Sequence, residues 1–266
     1  MSGPLEAALR RARDSGRKLL VPYVTAGLRE DWTAVVSALA EAGADAIEIG
    51  IPFSDPVMDG PTIQAASARA LERGVTPSAI VTALTGVDAG VPLVAMTYYN
   101  LVFRAGHRRF ASELAGAGVS GAIVPDLPLE ESAEWEADAR AAGIETVLLA
   151  APVTPDHRLE QIAARSRGFV YAVGLMGVTG ERSGVAASAG ILARRLKSVT
   201  DKPVLIGFGI STPAHAVAAA DAADATTTPS AASAAALMRR YLDGASPDEL
   251  GAQVGAMRQA LDRSVP

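Results

Sequence analysis

The sequence predicts a closed (β/α)8 TIM barrel with an extra N-terminal helix. Three observations carry this expectation. Eight short apolar stretches are each followed by a stretch with helical spacing, and such alternation implies a parallel sheet covered on both faces. The eight units fit within 266 residues, close to the roughly 250 residues of a (β/α)8 barrel. An open doubly wound sheet would need a glycine-rich fingerprint after its first strand, and Thr25-Ala26-Gly27-Leu28 is not one. No linker or low-complexity segment marks a second unit, so residues 1–266 are expected to form one domain.

The elements follow in order. Pro4 to Ser15 is amphipathic and is ended by Gly16, which gives the extra helix. Lys18 to Thr25 is a buried strand, and Glu30 to Ala42, closed by Gly43, is a helix. Asp45 to Gly50 is the second strand, followed by helices over Thr62–Arg73 and Pro77–Val87. Val91–Thr97, Ser120–Pro125, Glu145–Ala150 and Gly168–Gly174 are strands three to six. Their helices are His107–Ala117, Glu130–Ala142, Asp156–Arg165 and Val185–Val199. Pro203–Phe208 and Asp224–Thr228 complete the strands; Thr212–Ala222, Ser230–Leu242 and Asp248–Asp262 complete the helices.

Composition narrows the function classes. With 24 Lys+Arg against 29 Asp+Glu and no basic run, nucleic acid is not the expected partner. The chain has no cysteine, which excludes disulfides, thiolate catalysis and zinc–thiolate sites and fits the cytoplasm. Charged residues from Glu6 to Asp14 do not read as a secretory signal, and no apolar run reaches the roughly 18–20 residues needed to span a bilayer. The positive mean hydropathy comes largely from alanine, and no membrane partner is expected. His107, His157 and His215 fall in or beside outer helices and are read as surface residues; no metal site and no hydrolase triad is expected.

The second strand and the loop after it carry the candidate chemistry. Period two sets Ile47 and Ile49 on one face and Glu48 on the other. On an exposed sheet Glu48 would simply face solvent, but in a barrel its face is the interior, where an unpaired carboxylate is costly. Active sites of this fold lie at the C-terminal ends of the strands, where Glu48 sits. Beyond Gly50, a proline-stiffened loop holds Asp55 and Asp59, with a turn-forming role as the plain alternative for Asp55. Two glycine-containing stretches, Gly174–Gly180 after strand six and Gly207–Ser211 after strand seven, suit an anion such as phosphate. Tyr171 shares a face with Phe169 and Val173 and points inward near that mouth, as a pocket wall or as simple core packing.

The stretch from Ile47 through Phe53-Ser54-Asp55-Pro56 to Asp59-Gly60-Pro61-Thr62-Ile63-Gln64 closely resembles the defining motif of the tryptophan synthase alpha subunit family. Tyr98 to Phe103, Asp126 to Ser132, Gly177 to Gly180 and Gly207 to Ser211 are similar to the same family, in order and over nearly the whole chain. The resemblance implies a (β/α)8 barrel that cleaves indole-3-glycerol phosphate to indole and glyceraldehyde 3-phosphate, late in tryptophan biosynthesis. It implies no cofactor in this chain; indole passes to a beta subunit, which holds pyridoxal phosphate. Glu48 would be the acid–base residue, and Asp59 would accept the indole N–H and stabilise positive charge on the ring. Tyr23, Ile63, Met96, Ile123, Tyr171 and Phe208 would wall the indole pocket, and Thr179 and Gly180 would close over it. Backbone groups at Gly180 and Gly209, with Ser230, would hold phosphate. Pro52, Phe53, Ser54, Asp55 and Pro56, with Asn100, Phe103, Asp126 and Pro128, would face the beta subunit.

The chain departs from the family pattern at three places. Thr228-Pro229-Ser230-Ala231 replaces the usual Gly-Ser pair, and proline lacks the N–H that would bind phosphate. One lost hydrogen bond to a charged group is worth about 1.5–3 kcal/mol, so weaker phosphate binding is expected. Leu28-Arg29 stands in place of Asp-Pro, and Leu175-Met176 in place of polar or small residues. Two other readings follow: a stand-alone lyase releasing free indole, and an impaired paralogue acting as allosteric partner of a beta subunit.

Overall fold

The computed structural model describes residues 2–173, 182–207, 212–214, 216–217, 230–233 and 235–265, with only the backbone for 182–189 and 230–233. Eight parallel strands close into a barrel in sequence order. They are β1 Leu20–Thr25, β2 Ile47–Gly50, β3 Leu93–Met96, β4 Val119–Ile123, β5 Glu145–Ala150, β6 Val170–Val173, β7 Val204–Gly207 and β8 Ser230–Ser233. Closure comes from β8 pairing with β1, Leu20 opposite Ala231, and it leaves no strand edge unpaired. The helices are α1 Pro4–Asp14, α2 Trp32–Glu41, α3 Pro61–Glu72, α4 Pro77–Leu84, α5 Tyr99–Ala105, α6 His107–Gly116, α7 Ala133–Ala141, α8 Asp156–Arg165, α9 Arg182–Lys197, α10 Ala235–Leu242 and α11 Pro247–Arg263.

The alternation of side chains along the strands divides the core in two. Ile47 and Ile49 face outward and join Leu20, Val24, Leu93 and Ala95 in packing against the helices. Val21, Val94, Ile123, Val147 and Leu205 face inward and meet Leu19, Ala46 and Phe169 from just before their strands. Leu5 and Leu9 of α1 belong to this inner cluster, so α1 lies across the N-terminal end of the barrel. Its first turn is fastened by Glu145, whose carboxylate accepts the Leu5 N–H at 2.7 Å and the Glu6 N–H at 3.2 Å. A carboxylate at a helix N-terminus satisfies unpaired donors and complements the dipole. Two glycines make room for the helix: a Cβ on Gly121 or on Gly168 would lie 2.6 Å from Leu5 Cδ2.

Two elements differ from expectation. The Ser230–Leu242 segment is a strand, Ser230–Ser233, before its helix starts at Ala235. Its alanines favour helix over strand by local propensity, but closing the ring between β7 and β1 requires extended backbone there. The strand expected over residues 224–228 lies outside the described residues. Helix α5 was not expected, because what caps it comes from elsewhere in the chain: the Tyr99 N–H is received by Asp126 Oδ1 at 2.8 Å. Gly106, at φ +83°, then separates α5 from α6.

The Leu5 contact yields a stability prediction. Gly121→Ala should cost about 1–3 kcal/mol in urea denaturation through overpacking. Leu5→Ala in the same chain should recover part of that cost, and strictly additive losses would refute the contact.

Candidate active site at the C-terminal mouth

Glu48 is 1% exposed, on the inward face of β2 between Tyr23 of β1 and Val94 of β3. Its Oε1 has no hydrogen-bond partner. Burial pushes the carboxyl up to about 8, and no group among the described residues offsets it by favouring the ionised form. Two tyrosines flank it, each seated over a glycine at the end of a neighbouring strand. A Cβ on Gly50 would lie 1.8 Å from the Tyr23 hydroxyl, and one on Gly207 would lie 2.2 Å from the Tyr171 ring. Any side chain at either position would displace its tyrosine. Both phenols are raised above their ordinary value, first by burial and then by the charges of Asp59 and Glu48. Glu48, Asp59, Tyr23 and Tyr171 therefore share one electrostatic neighbourhood.

Asp59 arrives from the opposite direction, on the loop from Ile51 to Gly60 between β2 and α3. The loop is pinned at its start by the Ile51 N–H to the Met96 carbonyl at 2.9 Å. Near its end the Asp59 N–H meets the Pro56 carbonyl at 3.0 Å. Asp59 is half-buried, and burial raises its carboxyl while the Tyr98 hydroxyl opposes that rise. The same hydroxyl accepts the Met58 N–H at 3.0 Å, and the Tyr98 ring stacks on Phe53 with centroids 5.0 Å apart. Tyr98 was present in the sequence only as part of a motif; its role depends on a contact between the ends of β2 and β3.

The other expected site residues fall as follows. Ile123 is in the inner cluster, with Met96 and Tyr171 packed against it. Ile63 is buried at the start of α3, in the cluster that includes Tyr23. Thr179, Gly180, Phe208 and Gly209 lie outside the described residues. Ser230 requires a correction. It opens β8 opposite Leu205, two residues before the level of Gly207, so it starts the strand instead of following its C-terminal end. Its backbone is engaged in the sheet and is not brought to the mouth. His107 is also corrected: it is half-buried, with Nε2 3.1 Å from the Tyr99 hydroxyl and its ring edge-on to Trp135.

Around the rim, Pro52 is buried, Phe53 and Pro56 are half-buried, and Ser54, Asp55, Asn100, Phe103, Asp126 and Pro128 are exposed. Sequence reasoning missed Val57 and Met58, which are 79% and 56% exposed on the same loop. Apolar side chains held in water on a proline-stiffened loop were the available signal. A cavity of about 370 Å³ lies on the outer side of this loop, between Phe53 to Val57 and Gln64 and Ala68 of α3. Among the described residues, no three His, Asp or Glu side chains gather as a metal site, and no helix is long and apolar enough to cross a membrane.

The family model for the tryptophan synthase alpha chain matches residues 9–240. The chain belongs to this family. The alpha chain of Chloroflexus aggregans is 46% identical over 226 residues, 83% of this chain and 85% of that relative. That of Streptomyces coelicolor is 41% identical over 262 residues, covering 97% and 94%. Among solved structures, tryptophan synthase from Mycobacterium tuberculosis superposes with a TM-score of 0.88 at 36% identity, over 98% of this chain and 99% of that one. The alpha subunit from Legionella pneumophila superposes at 0.87 and 28% identity, covering 99% and 100%.

The Glu48 environment predicts a pH signature in stability. The carboxyl titrates near 4.5 when unfolded and at about 8 when folded, so the folded state holds the extra proton between those values. Its contribution is fully present below pH 4.5 and is lost as pH rises toward 8. Glu48→Gln cannot ionise, so its stability relative to wild type should grow by up to about 1.4 kcal/mol per pH unit across that window. Parallel stability–pH curves for the two proteins would refute the assignment.

Proposed function

We propose that this chain cleaves indole-3-glycerol phosphate to indole and glyceraldehyde 3-phosphate by a retro-aldol reaction. One observation carries the reading: an unpaired, neutral-leaning carboxyl, Glu48, and a second carboxyl that Tyr98 draws toward its ionised form, Asp59, both act on the same two buried phenols, Tyr23 and Tyr171. Glu48 supplies its proton to the ring carbon that bears the glycerol chain. Its conjugate base then takes the proton of the adjacent hydroxyl; the carbon–carbon bond breaks, its electrons restore the aromatic ring, and the aldehyde forms. Positive charge builds on the indole nitrogen before cleavage, and Asp59 faces it as a fixed anion. The pairing suits the two environments, because nothing near Glu48 favours its ionised form, whereas Tyr98 favours that of Asp59.

Tyr23, Ile63, Met96, Ile123 and Tyr171, with Phe208, wall the indole, and the Thr179–Gly180 segment closes over it. Backbone groups at Gly180 and Gly209 hold the phosphate. The chain uses no cofactor of its own. A beta subunit carrying pyridoxal phosphate sits on the rim formed by Phe53, Ser54, Asp55, Asn100, Phe103, Asp126 and Pro128 and receives the indole. The exposed Val57, Met58 and Phe103 support this placement, since a stiff apolar rim is suited to burial against another protein.

Indole release from indole-3-glycerol phosphate, measured with and without a beta subunit, tests the reading. Glu48→Gln should lower kcat by about 10²- to 10⁴-fold, the usual span for loss of an acid–base group. Asp59→Asn should lower it by about 10²- to 10³-fold through the lost electrostatic stabilisation. Wild-type turnover in the Glu48 variant would end the proposal.

A further inference from the structure

The loop that carries Asp59 has two faces with different duties. One brings the Asp59 carboxyl within electrostatic reach of Tyr23 and Tyr171, and the other sets Phe53, Val57 and Met58 at the rim. Tyr98 touches both faces. It is 5% exposed, just past the end of β3, and it is the N-cap residue of α5. Its ring stacks on Phe53 at 5.0 Å and an interplanar angle of 23°. Its hydroxyl accepts the Met58 N–H at 3.0 Å, one residue before Asp59, and favours the ionised form of the Asp59 carboxyl. A phenol has a single proton, and receiving the Met58 N–H leaves that proton free to be donated. Tyr98 thus acts on two consecutive residues of the loop, the Met58 backbone and the Asp59 side chain.

Tyr98 is also joined to the second rim segment. It begins α5, which carries Asn100 and the 65% exposed Phe103, and whose first turn is held by Asp126. The two rim segments therefore meet at one buried ring.

We infer that Tyr98 is a positioning residue: by holding the Met58 amide its hydroxyl sets where the Asp59 carboxylate stands, and its ring carries displacements of Phe53, Met58 and α5 at the rim to that carboxylate. The inference rests on the lyase reading above and adds to it the means by which contact at the rim alters the cleavage step. Asp59 holds the ring nitrogen more strongly as charge develops, so a misplaced carboxylate costs kcat more than KM.

Tyr98→Phe tests this, because it keeps the stacked ring and removes only the hydroxyl. Three results are expected: kcat falls by about 10- to 100-fold with KM within about threefold; the acidic limb of the kcat/KM profile moves to higher pH, because the carboxylate has lost a donor; and the Met58 amide exchanges its hydrogen faster. Unchanged kcat, pH limb and Met58 exchange in a wild type that turns over would overturn the inference and leave the lyase reading standing. A wild type with no turnover, alongside faster Met58 exchange in the variant, would overturn the lyase reading while keeping the loop-holding role. Tyr98→Leu, which also loses the stack on Phe53, should weaken any stimulation by a beta subunit further than Tyr98→Phe does; equal stimulation in the two variants would remove the ring from the coupling.

Discussion

A carboxyl group sealed inside a barrel with one oxygen unpaired is tolerable only while it keeps its proton. Ionised, it would face a desolvation cost that neither a cation nor a backbone amide offsets. That constraint shapes the surroundings of Glu48. The strand register sets it between Tyr23 and Val94, and glycines at 50 and 207 let two aromatic rings lie close to it. An arginine within reach would stabilise the fold and spoil the acid. The inner wall supplies aliphatic and phenolic neighbours instead, and the site keeps a carboxyl that can both give and take a proton near neutral pH.

Asp59 is managed by the opposite means. It stands on a loop instead of a strand, is only half-buried, and has in Tyr98 a neighbour that favours its ionised form. Two residues of the same chemical type, eleven positions apart, are thereby pushed toward different protonation states by their settings. The loop manages this because prolines at 52 and 56 stiffen it and because Tyr98 holds it at Phe53, Met58 and Asp59.

The barrel was legible in the sequence because its evidence is periodic and repeated. Alternation around Ile47 and Ile49 settled which way Glu48 points, and unit-by-unit repetition settled closure. What escaped notice depends on contacts between distant segments. Helix α5 is capped by Asp126, 27 positions away, so its start had no local mark. The Ser230 strand contradicts the local preference of its alanines and exists because β7 and β1 need a partner between them. Tyr98 and His107 looked unremarkable one at a time; their meaning lies in what they touch, Asp59 and Met58 for the first, Tyr99 and Trp135 for the second.

Helix α1 does more than extend the core. With Leu5 and Leu9 lodged among the inner side chains, and Gly121 and Gly168 shaped to admit Leu5, the barrel is a blind-ended vessel. Among the described residues, α1 stoppers the N-terminal end, and the opposite end is the one that bears Glu48 and the rim with Phe53, Met58 and Phe103. Which end of the barrel can open is thus decided by two leucines at the other end.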